Sequence, residues 1–160
     1  MPIKKILVIL PILSLPLTAI AQNTPEKLPG NITNTITDKF APVVCREGLK
    51  RAIEEVQKCY KNTPAKYLQI EQCMVADIAI TVLANIDNET RKKYDLPIKY
   101  TTPYIDLNQY DERIDKYRKT IPEYQNYDQQ DFLKYIGKSS DSLLKKIILM
   151  KKDKTINCVE

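Results

Sequence analysis

Apolar residues recur every three or four positions between residues 42 and 61, the spacing of an amphipathic helix. One face of this predicted helix is formed by Cys45, Leu49, Ala52, Val56 and Cys59. Pro64 lacks a backbone N–H and should end the helix and turn the chain. We therefore predict a first helix over 42–61 that is followed by a tight turn.

A second helix is predicted over 65–86, and its pattern differs from that of the first. Its apolar residues cover most of the circumference, with only a narrow polar stripe through Asp77, Thr81 and Asn85. A helix that is apolar on so much of its surface belongs in the middle of a bundle. We expect this buried second helix to form an N-terminal antiparallel hairpin with the first.

The hydrophobic pattern after residue 86 is weaker, but it also indicates helices. It predicts a short helix over 87–94, a helix over 106–119, a short helix over 128–136 capped by Gly137, and a final helix after the Ser139-Ser140-Asp141 cap. The expected fold is all-α, a disulfide-linked bundle of five or six helices.

The N-terminal residues are typical of a secretory signal peptide. Two lysines precede a short apolar stretch, and an Ala-Ile-Ala site ends at Ala21. The alternative is a membrane anchor, but the stretch is shorter than a membrane span and is interrupted by prolines. We predict a signal peptide over 1–21, a flexible leader over 22–38 and a single helical domain over 39–160, in the periplasm or secreted.

Four cysteines in an exported chain predict two disulfides. Cys45 and Cys59 lie fourteen positions apart on one predicted helix, about 21 Å along its axis, and a disulfide needs Cα atoms within about 7 Å. Each must therefore pair with Cys73 or Cys158. We expect Cys59–Cys73 and Cys45–Cys158, because Cys59 and Cys73 flank the turn; the swapped pairing is the alternative.

The charge and the residue types present restrict the possible chemistry. A formal charge of +5, about +3 without the two signal-peptide lysines, is too weak to imply a nucleic-acid partner. The chain has no histidine, which excludes an imidazole base and histidine-built zinc sites. We expect no cofactor and no metal. The acid pairs Asp111/Asp115 and Asp128/Asp131 have helical spacing, and we interpret them as solvated helix faces.

Asp77 is the one acid inside the apolar second helix. It could be a buried acid with a perturbed pKa that points into a pocket. It could also lie on the thin polar stripe beside Thr81 and Asn85, in contact with solvent. We expect the solvent-exposed position.

Eight of the ten tyrosines fall between Tyr94 and Tyr135. Tyrosine is rigid, amphipathic and enriched in binding hot spots, so this segment is a candidate recognition surface. We expect Tyr110, Tyr117 and Tyr135 to be core residues. The predicted partner-binding residues lie in or beside loops and are Tyr94, Tyr100, Tyr104, Tyr124 and Tyr127.

The last predicted helix is basic as well as amphipathic. This helix, the residue before its cap and the tail carry Lys138, Lys145, Lys146, Lys151, Lys152 and Lys154, beside the apolar residues 147–150. Such a helix can lie on an anionic membrane. More often it is a core helix with a lysine-rich outer face, and Cys158 should hold the tail on the bundle, so we expect no membrane binding.

In its signal peptide, helical body and four cysteines the chain resembles the small periplasmic immunity proteins that protect bacteria from injected enzymes. The resemblance implies a non-catalytic protein that occludes a partner enzyme, possibly a toxic one, with a preformed surface. Two alternatives stay open. One is a small secreted effector or a hydrolase that acts on cell-wall sugars with carboxylates alone; the other is a membrane-surface-binding helical protein.

Overall fold

The computed structural model describes residues 27–159, and this part of the chain forms α-helices and 3₁₀ turns without any strand. The helices are α1 (Gly30–Asn62), α2 (Glu71–Lys93), α3 (Leu107–Thr120) and α4 (Gln129–Lys152), and the 3₁₀ turns are Pro103–Ile105 and Pro122–Tyr124. Helices α1, α2 and α4 pack against one another, and α3 makes lighter contacts with α2 and α4. The all-α prediction is confirmed, but four long helices replace the expected five or six.

Helix α1 begins at Gly30, so the prediction of a flexible leader over 22–38 is wrong from that residue onward. Ile36 and Phe40 are buried on the same face as Thr33 and Thr37. The Thr37 hydroxyl donates to the Thr33 carbonyl at 2.7 Å, and this bond lets a polar residue occupy a core position. Residues 22–26 of the predicted leader, and the whole predicted signal peptide 1–21, lie outside the described residues.

Helix α1 is interrupted at Gly48, whose φ of 84° and ψ of 172° are not helical. A positive φ favours glycine, because a Cβ there would be strained. In an uninterrupted helix, the Cys45 carbonyl would accept a hydrogen bond from the N–H of Leu49. That carbonyl instead accepts a hydrogen bond from the N–H of Val159, at 2.7 Å. The break at Gly48 therefore gives the C-terminal tail its attachment to α1.

Helix α2 starts at Glu71 rather than near residue 65, and it continues without a break to Lys93. The separate short helix predicted over 87–94 is thus the last part of α2. Residues 73–77 are buried on every side, as expected for a central helix. Asp77 and Thr81 are buried as well, so the polar stripe that we expected to meet solvent faces the protein instead.

Helix α4 passes through Gly137, so the predicted cap at that residue and the division into two helices are wrong. Ser139 and Ser140 do not cap a new helix. Their hydroxyls donate to the Tyr135 and Gly137 carbonyls, both at 2.7 Å, within the same helix. The Ser139 hydroxyl also accepts the N–H of Leu28 at 2.9 Å, which ties the segment before α1 to α4.

The two disulfides join Cys45 to Cys158 and Cys59 to Cys73, with Cα atoms 4.5 and 5.5 Å apart. The expected pairing is confirmed, and all four cysteines are oxidised. Such bridges persist in an oxidising compartment.

Within the part of the chain that the structure describes, no helix is long and apolar enough to cross a membrane.

Candidate functional site

The five predicted contact tyrosines do not share a surface. Tyr94 is exposed and Tyr104 is half-buried, whereas Tyr100, Tyr124 and Tyr127 are buried in the core. A position in or beside a loop favours exposure, but these last three are buried. Tyr110 and Tyr135 are buried, as expected for core residues.

Tyr124 and Tyr127 are buried because they form an aromatic cluster with the first turns of α4. The ring centroids of Tyr124 and Phe132 lie 4.7 Å apart, and that of Tyr127 lies 5.7 Å from Phe132 and 5.4 Å from Tyr135. Tyr67, from the connection between α1 and α2, packs edge-on against Tyr124. These rings hold the α3–α4 connection against the bundle, so their role is packing.

Three exposed large apolar residues lie close together in the chain, in the connection that follows α2. We call residues 94–98 the apolar loop. Tyr94, Leu96 and Ile98 are 66%, 52% and 54% exposed, and every residue of 92–99 is exposed. Large apolar side chains that cluster on a surface mark interaction sites, whereas single ones do not. The density of tyrosines in the sequence indicates Tyr94 but gives no signal for Leu96 and Ile98, which are aliphatic.

The backbone around the apolar loop is fixed by two side chains of α2. The Asn88 carbonyl oxygen accepts the N–H groups of Lys99 and Tyr100 at 3.2 and 3.1 Å, and its amide donates to the Tyr100 carbonyl at 2.6 Å. Arg91 donates to the Pro97 carbonyl at 3.3 Å, and its own carbonyl accepts the N–H of Leu96 at 2.9 Å. The loop is therefore presented in a defined shape.

Clefts lie on either side of Tyr100. The first, which we call the Gly48 cleft, has a volume of about 450 Å³ and is lined by Val44, Gly48, Leu49, Leu83, Ile86, Asp87, Thr90, Arg91, Lys99, Tyr100, Lys151 and Val159. The second has a volume of about 420 Å³ and lies between α1 and residues 99–102. Each cleft has a single acidic residue in its lining, Asp87 in the first and Glu54 in the second. Neither therefore offers the two carboxylates that glycoside hydrolysis uses.

A buried ion pair joins α2 to α3. Both Asp77 carboxylate oxygens accept from the Arg113 guanidinium at 3.1 Å, and Tyr60 and Thr81 donate to the same carboxylate. Burial raises the pKa of Asp77, while the bonds from Arg113 and Tyr60 act in the opposite direction. With a bidentate guanidinium attached, we assign a carboxylate at neutral pH. Asp77 is thus a structural ion-pair partner, and the solvent-exposed position that we expected is wrong.

One acid of each predicted pair has a structural partner. Asp115 is buried against Lys119 and Arg118, so the solvated position that we expected is wrong for it, and these cations lower its pKa. Asp128 caps α4 by accepting the N–H of Asp131 at 2.8 Å. Among the described residues no group of three potential ligands could hold a metal ion.

Glu71 was not predicted to be special, yet it is the most unusual acid in the fold. It is fully buried at the start of α2, where one carboxyl oxygen accepts the N–H of Leu68 at 2.9 Å and the other makes no hydrogen bond. Burial raises its pKa to about 7. Neither of the two clefts described above has Glu71 in its lining.

No family model matches the chain, and comparisons with curated proteins and with solved structures likewise found no match.

Proposed function

We propose that this chain is a non-catalytic exported protein that binds and occludes a partner enzyme, as immunity and inhibitor proteins do. The observation that supports it is the apolar loop, where Tyr94, Leu96 and Ile98 are each more than half exposed on a fixed backbone. An exposed apolar cluster has a cost in solubility, which a binding role would explain.

The rigidity of the apolar loop favours recognition. Ordering a loop on binding costs free energy, and a loop already held by Asn88 and Arg91 avoids most of that cost. The aromatic and aliphatic side chains at its centre are of the kind that form binding hot spots. Lys92 and Lys93 precede the loop and are exposed, so the proposed partner surface is apolar at its centre and acidic at its rim.

The disulfides fit a periplasmic or secreted location, because such bridges form and persist outside the reducing cytoplasm. The proposed partner is therefore an enzyme that is active in the same compartment. In this proposal the bundle is a rigid support and carries no reacting group.

A capture experiment tests the proposal. Immobilised protein is exposed to periplasmic and secreted fractions, and each captured enzyme is assayed with and without the protein. We expect capture and inhibition by the native chain, and loss of both when Tyr94→Ala, Leu96→Ser and Ile98→Ser are combined. The matched control is Ile148→Ser with Leu149→Ser, which removes exposed apolar residues from α4 instead.

The control double variant should capture and inhibit as the native chain does. If the triple variant retains full inhibition, the apolar loop is not the contact surface. If captured enzymes keep their full activity in the presence of the native chain, the occlusion mechanism is wrong even though binding occurs.

A second candidate, binding to a membrane surface, is favoured by one observation on α4. Ile148 and Leu149 are exposed there, with Lys145, Lys146 and Lys152 exposed on the same helix. An apolar strip among lysines can lie on anionic lipid. Sedimentation with anionic vesicles, reversed by salt and abolished in the α4 control variant, would support this candidate against the first.

A further inference from the structure

The Gly48 cleft combines an apolar floor with a basic rim. Its apolar lining comes from α1, α2 and the C-terminal tail: Val44, Leu49, Leu83, Ile86 and Val159. Arg91, Lys99 and Lys151 supply cations from α2, the following loop and α4. The one acid in the lining, Asp87, accepts from Arg91 at 3.4 Å, so these two charges offset each other and the two lysines supply the remaining formal positive charge. The cleft therefore has an excess of positive charge beside apolar surface.

The cleft is a consequence of the backbone at Gly48. The break in α1 occurs where the tail crosses, and Val159 is held there by its bond to the Cys45 carbonyl and by the neighbouring Cys158 bridge. A Cβ built on Gly48 would make an ordinary contact with the Val159 side chain at 3.4 Å, so it is the positive φ, and not a lack of space, that favours glycine here. The Cys45–Cys158 disulfide, the C-terminal tail and the break at Gly48 together fix the shape of this side of the Gly48 cleft.

We infer that the Gly48 cleft binds a small single-chain anionic amphiphile, an acyl chain with a carboxylate or phosphate head. Its apolar floor would remove part of the chain from water, and its cations would face the head group. A volume of about 450 Å³ lies in the lower part of the range of small-molecule pockets, which suits one chain. This inference concerns a different surface from the apolar loop and does not depend on the proposed enzyme partner.

Isothermal titration calorimetry with dodecanoate, below its micelle-forming concentration, tests the inference directly. We expect one site per chain, and binding about tenfold weaker for decanoate, because each buried methylene contributes roughly fourfold in affinity and part of the chain stays outside. Dodecanol and dodecyltrimethylammonium have the same tail without the negative head. We expect each to bind at least about tenfold more weakly, since a charge-assisted bond to a lysine or arginine is lost.

Titrations with lysophosphatidate and dodecyl phosphate distinguish a phosphate head group from a carboxylate head group. Tighter binding of the phosphates than of dodecanoate would identify a phospholipid-derived ligand, and the reverse order would identify a free fatty acid. Both orders are consistent with the inferred chemistry. Equal affinity for dodecanol and dodecanoate, or tighter binding of the cationic surfactant, would overturn it.

Ile86→Glu places a negative charge in the cleft at a side chain that is 57% exposed, so the fold should tolerate it. We expect dodecanoate binding to fall by more than about tenfold through charge repulsion and lost apolar contact. Leu107→Glu makes the same change at a similarly exposed residue outside the cleft lining, and it should bind as the native chain does. Equal losses in the two variants would show that binding follows net charge and not the cleft, and would refute the assignment.

Discussion

The buried carboxyl of Glu71 makes the stability of this protein depend on pH near neutrality. The group is fully buried, with one oxygen bonded to the N–H of Leu68 and the other without a partner. Ionising it in place therefore leaves a charge that is poorly solvated. Two perturbations test this: a change of pH between 5 and 8, and the substitution Glu71→Gln, which removes the titration.

The magnitude follows from the pKa. Burial raises the pKa of Glu71 from 4.5 to about 7, and one pKa unit corresponds to about 1.36 kcal/mol, so the whole effect is about 3 kcal/mol. The folded pKa lies above the unfolded one. The stabilisation is therefore fully present below about pH 4.5 and is lost as the pH rises through about 7.

Urea unfolding followed by circular dichroism, with the disulfides intact, measures the effect. The free energy of unfolding should fall between pH 5 and pH 8, with a slope that approaches about 1.4 kcal/mol per pH unit in the steepest part. The chain has no histidine, so no imidazole titrates in this window. In Glu71→Gln the slope should be largely absent, whatever the absolute stability of the variant.

Glu89→Gln is the matched control, because Glu89 is an exposed acid on the same helix. It should keep the pH dependence of the native chain. The reasoning is refuted if Glu71→Gln and the native protein show the same slope between pH 5 and pH 8. That result would mean that Glu71 is ionised and solvated throughout the range.

Three further outcomes are expected in the same unfolding assay. Cys158→Ser should lower the free energy of unfolding by about 4 kcal/mol, since its bridge spans 113 residues; a loss below about 1 kcal/mol would contradict this. Arg113→Met should cost about 3–5 kcal/mol because the Asp77 carboxylate stays buried without its cation, and adding Asp77→Asn should recover part of the loss. Gly48→Ala should cost about 1–3 kcal/mol, because alanine is strained at this positive φ; unchanged stability would show that the break adapts.

The disulfide pairing was predictable in two steps. Helical rise prevents Cys45 from meeting Cys59 but leaves two pairings open. The positions of Cys59 and Cys73 on either side of the turn favour the pairing that the structure has. The predicted division of α4 at Gly137 failed because packing overrides a local signal. A glycine inside a helix costs only about 1 kcal/mol, and burial of the faces on both sides outweighs it.

The sequence does not indicate which groups the buried polar side chains bond to. Arg113 lies 36 positions after Asp77, and no local pattern indicates that the two meet. Glu71 gave no signal either, since an acid in the first turn of a helix is usually exposed and favourable there. The loop position of Tyr124 favours a partner-binding residue, but its burial depends on packing against α4.

The bridge between Cys45 and Cys158 turns residues 45–158 into a covalent ring. A protease that cuts once anywhere inside this ring, for example in the exposed residues 92–99, opens it without releasing a fragment. The nicked chain would keep its mass apart from one added water, and its pieces would separate only after reduction. The exposed loop is thus one place where this protein can be cleaved and still hold together.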